Sequence, residues 1–159
     1  MRDFGSIQSP QHAFYLNLGL ESLHVRMPQH CANGQAVAEF LATHPKVASV
    51  TYPNLPGDTY YELAQKYLPG GGCGVVSFCL AGGRAEAERF MAALRLCAIE
   101  THVADARSCC LHPASTTHRQ MTDDELTAAG IAPSMVRLSC GLESTEDLLA
   151  DVAQALEQV

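Results

Sequence analysis

The chain has 159 residues, enough for one domain with a real core. Its hydrophobic fraction of 47% and charged fraction of 17% fit a soluble globular protein. The formal charge of −7, with ten scattered Lys and Arg, argues against a nucleic-acid partner. No apolar run approaches the roughly 18–20 residues of a membrane span, and no basic-then-apolar N-terminal stretch reads as a signal peptide. Seven cysteines, an odd count without a C-x-x-C, favour reduced thiols in a cytoplasm over a disulfide framework. Several occupy apolar positions, where Cys acts as a small hydrophobe. Seven Cys and seven His permit a metal site, but their spacing points to none.

In chain order, Ser9 and Pro10 read as the N-cap and first position of a helix. Phe14, Leu16, Leu18, Leu20, Leu23 and Val25 then crowd a segment that is apolar nearly all round. Such a helix wants another domain or chain to pack against. Pro28 is expected to bend or restart it. A second helical stretch has Val37, Phe40 and Leu41 on one face and ends before His44-Pro45. Residues 46–52 read as a strand with Ala48, Val50 and Tyr52 alternating, followed by turn chemistry at 53–58 and a short helix over 60–67. The Gly70-Gly71-Gly72 run lacks the G-K-[ST] ending of a phosphate loop and reads as a flexible connection.

Residues 74–80 form a strand with Val76, Phe78 and Leu80 on one face. A helix with Ala87, Phe90, Met91 and Leu94 at helical spacing follows. Residues 98–103 and 108–111 read as two short strands or an interrupted one. Thr122 and Glu125 make a capping box for a helix that Gly130 ends. Residues 135–140 are a strand, and Ser144 opens a last helix with Leu148, Leu149, Val152, Leu156 and Val159 on its apolar face. The fold expected is α/β of the α+β type: a small, mainly antiparallel sheet covered on one face by helices, with a long N-terminal helix.

On the strand at 135–140, Val136, Leu138 and Cys140 point into the core, and Arg137 and Ser139 point away from it. A partly desolvated guanidinium there needs an acceptor. A substrate carboxylate suits it, through two parallel N–H···O bonds, and so does an internal acid such as Asp105 or Glu143. The segment His112-Pro113-Ala114-Ser115-Thr116-Thr117-His118 is dense in polar groups at the end of a strand. Such loops supply hydroxyls to ligands, and they also cap helices and make turns with no ligand. His112 and His118 are candidates for acid–base or metal roles, without a supporting spacing.

Several segments in order resemble one family. They include Arg2-Asp3-Phe4-Gly5-Ser6, Gly19-Leu20-Glu21-Ser22-Leu23, His44-Pro45-Lys46-Val47, Tyr52-Pro53-Asn54-Leu55-Pro56, Lys66-Tyr67-Leu68-Pro69, residues 111–118 and Arg137-Leu138-Ser139-Cys140-Gly141-Leu142-Glu143. The chain resembles the C-terminal part of the cystathionine γ-synthase-like enzymes that use pyridoxal phosphate, nearest the O-acetylhomoserine sulfhydrylases. The resemblance implies that residues 1–25 close a cofactor domain and start a connecting helix, and that 26–159 are a small domain. It implies that Arg137 pairs with the α-carboxylate of an O-acetylhomoserine-like amino acid, that Ser108 adds a main-chain contact, and that Thr117 lines the pocket. It implies a separate pyridoxal-phosphate-binding domain as partner in the complete enzyme, and a homo-oligomer. The chain has two lysines, Lys46 and Lys66, and both read as surface positions. Cofactor-binding and catalytic residues are therefore expected elsewhere, with the isolated chain inactive. The alternative is a stand-alone interaction module, pairing with a cofactor domain or with itself. The sequence also departs from the family at His102-Val103-Ala104-Asp105, where a glycine usually precedes the aspartate, and at Cys109-Cys110, where larger aliphatics are common.

Overall fold

The computed structural model describes Gly5 and residues 7–159. The Arg2–Ser6 segment of the resemblance, Gly5 apart, lies outside the described residues. The first helix, α1 (Pro10–Glu21), starts as expected: Ser9 Oγ accepts from the His12 amide at 3.2 Å and Pro10 takes the first position. None of its residues is buried. The expected single long N-terminal helix is two helices, parted at Ser22. Arg26 ties the junction, donating from Nη2 to the Gly19 carbonyl at 2.6 Å and from Nε to Ser22 Oγ at 3.1 Å.

The second helix, α2 (Leu23–Ala42), continues through Pro28, so the expected restart does not occur there. Pro28 forfeits the hydrogen bond its amide would make to the carbonyl of His24, and His24 is exposed, so water can take that carbonyl. Burial begins beyond it, at His30, Asn33, Gly34, Val37, Ala38 and Leu41. Gly34 is the contact point with the sheet, because a Cβ there would lie 2.5 Å from the Cys73 carbonyl oxygen.

The sheet comprises β1 (Val47–Thr51), β2 (Val75–Leu80), β3 (Ala98–Ile99), β4 (Cys109–Leu111) and β5 (Met135–Ser139), in the order β1-β2-β5-β4-β3. Pairing is antiparallel except between β3 and β4, which run parallel over two residue pairs. That exception needs no helical crossover, because residues 100–108 loop back beside the strand they leave. A register shift between Val47 and Ser49 turns Ala48 outward, against the expected alternation, while Tyr52 stays fully buried.

Helices α3 (Tyr61–Tyr67), α4 (Arg84–Ala93), α5 (Asp123–Ala128) and α6 (Thr145–Glu157) complete the fold. The α2, α4 and α6 helices cover one face of the sheet. The core there joins Val37 and Leu41 of α2, Val76, Phe78 and Leu80 of β2, Phe90 of α4, Val136 and Leu138 of β5, and Leu148, Val152 and Leu156 of α6. Phe90 meets Phe78 edge-on, with centroids 5.5 Å apart. The capping box at Thr122 and Glu125 forms as predicted. Ser144 sits at the start of α6, but its hydroxyl donates to Glu146 Oε2 at 2.7 Å instead of capping an amide.

The cysteines are free thiols, four of them buried. Burial raises the pKa of Cys97, Cys110 and Cys140, the last to about 12, so these remain neutral apolar packing groups. No helix among the described residues is long and apolar enough to cross a membrane.

Candidate substrate site

The alternation of β5 is observed as read. Val136 and Leu138 are buried in the helix-covered core. Arg137 lies on the opposite face, in a cross-strand row with Ser77 of β2 and Leu111 of β4. Its Nη2 donates to the Thr101 carbonyl at 2.9 Å. Its Nε is buried with no hydrogen-bond partner. No acid among the described residues pairs with it. The two acids that the sequence offers as its partner are engaged elsewhere: Asp105 with His102 and the Arg107 amide, and Glu143 with Ser108. An unpaired buried donor costs about 1–3 kcal/mol, so the guanidinium is a standing demand for an acceptor.

Ser108 enters β4 fully buried. Its amide donates to Glu143 Oε1 at 2.6 Å and its hydroxyl to Glu143 Oε2 at 2.8 Å. The hydroxyl oxygen accepts from the Gly141 amide at 2.8 Å, and the carbonyl accepts from the Ala98 amide at 2.9 Å. Every polar group of Ser108 is thus in use, tying the 141–143 turn to the start of β4. Gly141 is required there, because a Cβ would lie 2.5 Å from the Ala106 carbonyl oxygen and the Ser108 nitrogen.

The loop at 101–107 crosses the uncovered face beside Arg137. Ala104 adopts a positive φ of 60°, which a glycine takes without penalty. The alanine at this position is therefore a local backbone strain. The Ala104 amide donates to Ser139 Oγ at 3.1 Å and pins the loop to β5. Beneath it lies an apolar cleft of about 190 Å³, lined by Met27, His30, Cys73, Val103, Ala104 and Ser139 among others. His30 is a residue that periodicity alone could not flag, since it looks like any polar position on a helix. It is buried, with Nδ1 at 2.7 Å from the Cys140 carbonyl oxygen. A carbonyl only accepts, so Nδ1 carries a proton; Nε2 is buried without a partner.

The segment at 112–118 divides into two roles. His112 is buried and both its nitrogens are occupied, Nδ1 by Ser115 Oγ at 2.8 Å and Nε2 by the Pro133 carbonyl at 2.8 Å. It braces the loop and is not available as an acid, base or ligand. Thr117 is exposed, its hydroxyl 2.9 Å from His118 Nδ1. No hydrogen bond joins Thr117 or Ser108 to Arg137, and the two flank opposite ends of β4, so the three form no single network.

The two lysines are placed for other work. Lys46 is half-buried, not a surface residue as read, and caps the C-terminus of α6, with Nζ 2.8 Å from the Leu156 carbonyl and 3.3 Å from that of Glu157. Lys66 is exposed, 5.0 Å from the centroid of the Tyr67 ring.

The model of the Cys/Met metabolism PLP-dependent enzymes matches residues 1–157. The chain belongs to this family. It is 42% identical over 160 residues to the O-acetyl-L-homoserine sulfhydrylase of Leptospira meyeri, covering 100% of this chain and 36% of that protein. It is 44% identical over 153 residues to the L-methionine gamma-lyase of Pseudomonas putida, covering 96% of this chain and 38% of that one. Among solved structures, a putative O-acetylhomoserine (thiol)-lyase from Campylobacter jejuni, determined with N'-pyridoxyl-lysine-5'-monophosphate, superimposes with a TM-score of 0.87 at 40% identity. That match covers 98% of this chain and 37% of the other. The chain therefore spans little more than a third of the length of the relatives it matches.

Proposed function

We propose that this chain is the substrate-carboxylate-binding small domain of a pyridoxal-phosphate-dependent O-acetylhomoserine sulfhydrylase, the C-terminal part in the reading given above. The observation that carries the proposal is the Arg137 guanidinium, held on the uncovered face of the sheet with one donor unpartnered and no internal acid. A carboxylate satisfies it by two parallel hydrogen bonds. The α-carboxylate of an O-acetylhomoserine-like amino acid fits this demand, and fixing that group orients the bonds at Cα for the chemistry that follows. Thr117 serves at the rim as an exposed hydroxyl. Ser108 contributes by position: its amide is held by Glu143, so direct contact with a substrate carboxylate requires that bond to be exchanged.

Pyridoxal phosphate, when bound to a complete enzyme of this family, supplies the electron sink for reaction at the amino acid's carbons. The residues of this chain do not fit its anchor. Lys46 is spent on the end of α6 and Lys66 sits against Tyr67, so neither amine is presented to a cleft. The cofactor anchor is assigned to a separate domain, residues 1–25 to the connection with it, and the isolated chain to binding without turnover in a cytoplasmic setting. If added pyridoxal phosphate instead produced a stoichiometric absorbance band that borohydride fixed to Lys46 or Lys66, that assignment would fail.

The direct test follows the Arg137 Nε–H resonance by NMR during titration with O-acetylhomoserine. A saturable shift is expected with the amino acid and not with its carboxamide. No shift at millimolar concentrations, or the same shift with the amide, refutes the role. A second reading, a stand-alone interaction module, is favoured by one observation. Phe14, Leu16, Leu18 and Leu20 of α1 are each more than half exposed. Light scattering separates the two: a concentration-dependent homo-oligomer supports self-association through this helix, and a monomer refutes it.

A further inference from the structure

Away from Arg137, the parallel pairing of β3 with β4 brings together three side chains that the sequence spacing does not connect. Glu100 follows β3 and Cys109 begins β4, and the Glu100 amide donates to the Cys110 carbonyl at 3.2 Å, so the backbone fixes their separation. His102 stands on the loop between them. Glu100 Oε2 lies 3.0 Å from His102 Nδ1 and 4.0 Å from Cys109 Sγ, and the three ligand atoms are all within 4.8 Å of one another. A tetrahedral zinc ion with bonds of about 2.0–2.3 Å requires ligand atoms roughly 3.3–3.8 Å apart. The cluster closes on that geometry with shifts of an ångström or less, and the exposed His102 is free to make them.

We propose that Glu100, His102 and Cys109 form a site for a divalent transition metal of the zinc class. The ligand set is one thiolate, one imidazole and one carboxylate, the mixture zinc and cobalt(II) accept and magnesium or calcium do not. Asp105 Oδ2, 3.5 Å from His102 Nδ1, stands where a fourth ligand or a bound water would complete the shell. Cys109 Sγ lies at the buried end of the cluster and donates to the Arg107 carbonyl at 3.4 Å. On binding, the Cys109 S–H bond breaks and its proton passes to solvent, His102 gives up the proton that Nδ1 shares with Glu100 and keeps one on Nε2, and the sulfur and Nδ1 electron pairs go to the metal. The opposing charge is Arg107, whose Nη2 lies 3.1 and 3.3 Å from the two Glu100 oxygens. It is exposed, and must withdraw from Oε2 for the ion to enter.

The test is a cobalt(II) titration of the chelator-treated chain. A sulfur-to-cobalt charge-transfer band with visible tetrahedral transitions is expected, saturating near one equivalent, displaced by zinc and accompanied by proton release. His102→Ala, a surface change that leaves the core alone, should weaken binding at least about tenfold. Cys109→Ser should abolish the charge-transfer band, and Arg107→Ala should tighten binding. The other six cysteines are the internal control. Undiminished binding in both His102→Ala and Cys109→Ser, or no charge-transfer band in the parent chain, overturns the proposal.

Discussion

Asp151 offers a sharp test of how the far edge of the sheet is held. It sits on the buried side of α6, 6% exposed, and aims its carboxylate at the turn that leads into β3. Oδ1 accepts from the Arg95 amide at 2.9 Å, and Oδ2 from the Leu96 and Cys97 amides at 3.0 and 2.9 Å. Burial pushes the carboxyl pKa up, but the amides of Cys97, Arg95 and Leu96 together outweigh it and hold the group below its ordinary value. Asp151→Asn keeps one acceptor and turns an NH₂ group against the N–H donors. Arg95 and Leu96 are exposed and can recruit water, so the net loss centres on the buried Cys97 amide. Losing one charge-assisted bond and stranding one donor is worth roughly 2–4 kcal/mol. The pH dependence has a fixed sign. A depressed carboxyl contributes its stability above the unfolded value, about pH 3.9, and loses it as pH falls through the folded value. Urea unfolding at neutral pH should show the full gap with an unchanged m-value, and the gap should narrow below about pH 4. A variant within about 0.5 kcal/mol of the parent at neutral pH, or a gap indifferent to acid, refutes the reasoning.

Two further substitutions probe the loop beside Arg137. Ala104→Gly removes a left-handed alanine, a relief of about 1–2 kcal/mol partly offset by the flexibility glycine adds to the unfolded chain. A net gain of roughly 0.5–1 kcal/mol in urea unfolding is expected, and a loss would show that the strain is not real. Gly141→Ala drives a methyl into backbone at Ala106 and Ser108, so it should cost about 1–3 kcal/mol. Hydrogen exchange should quicken first at the Ser108 and Gly141 amides, which depend on that approach.

The fold was legible wherever local chemistry decides it. Ser9 with Pro10, the Thr122–Glu125 box and the alternations of β2 and β5 each act within a few residues, and each is seen as read. The errors lie where a distant partner or solvent decides. Pro28 does not restart the helix, and the residue whose carbonyl it orphans, His24, is exposed. Ala48 is displaced by a register shift that only the pairing with β2 reveals. Lys46 reads as a surface residue because nothing nearby announces that the end of α6, more than a hundred residues on, needs a cation.

The site divides in the same way. Strand periodicity alone places Arg137 on the face away from the core, but whether an internal acid neutralises it depends on where Asp105 and Glu143 turn. Glu143 turns to Ser108 because the Gly141 approach sets the two backbones side by side, and Asp105 turns to its own loop. Both acids are thus consumed in shaping the turns that frame the arginine. That arrangement leaves the guanidinium charged, preorganised and without a counter-ion among the described residues, which is the state a carboxylate-binding residue needs before its ligand arrives. Glu143→Gln separates shaping from neutralising: if Glu143 only frames the turn, the carboxylate response proposed for Arg137 should be unchanged while the Ser108 amide loses protection.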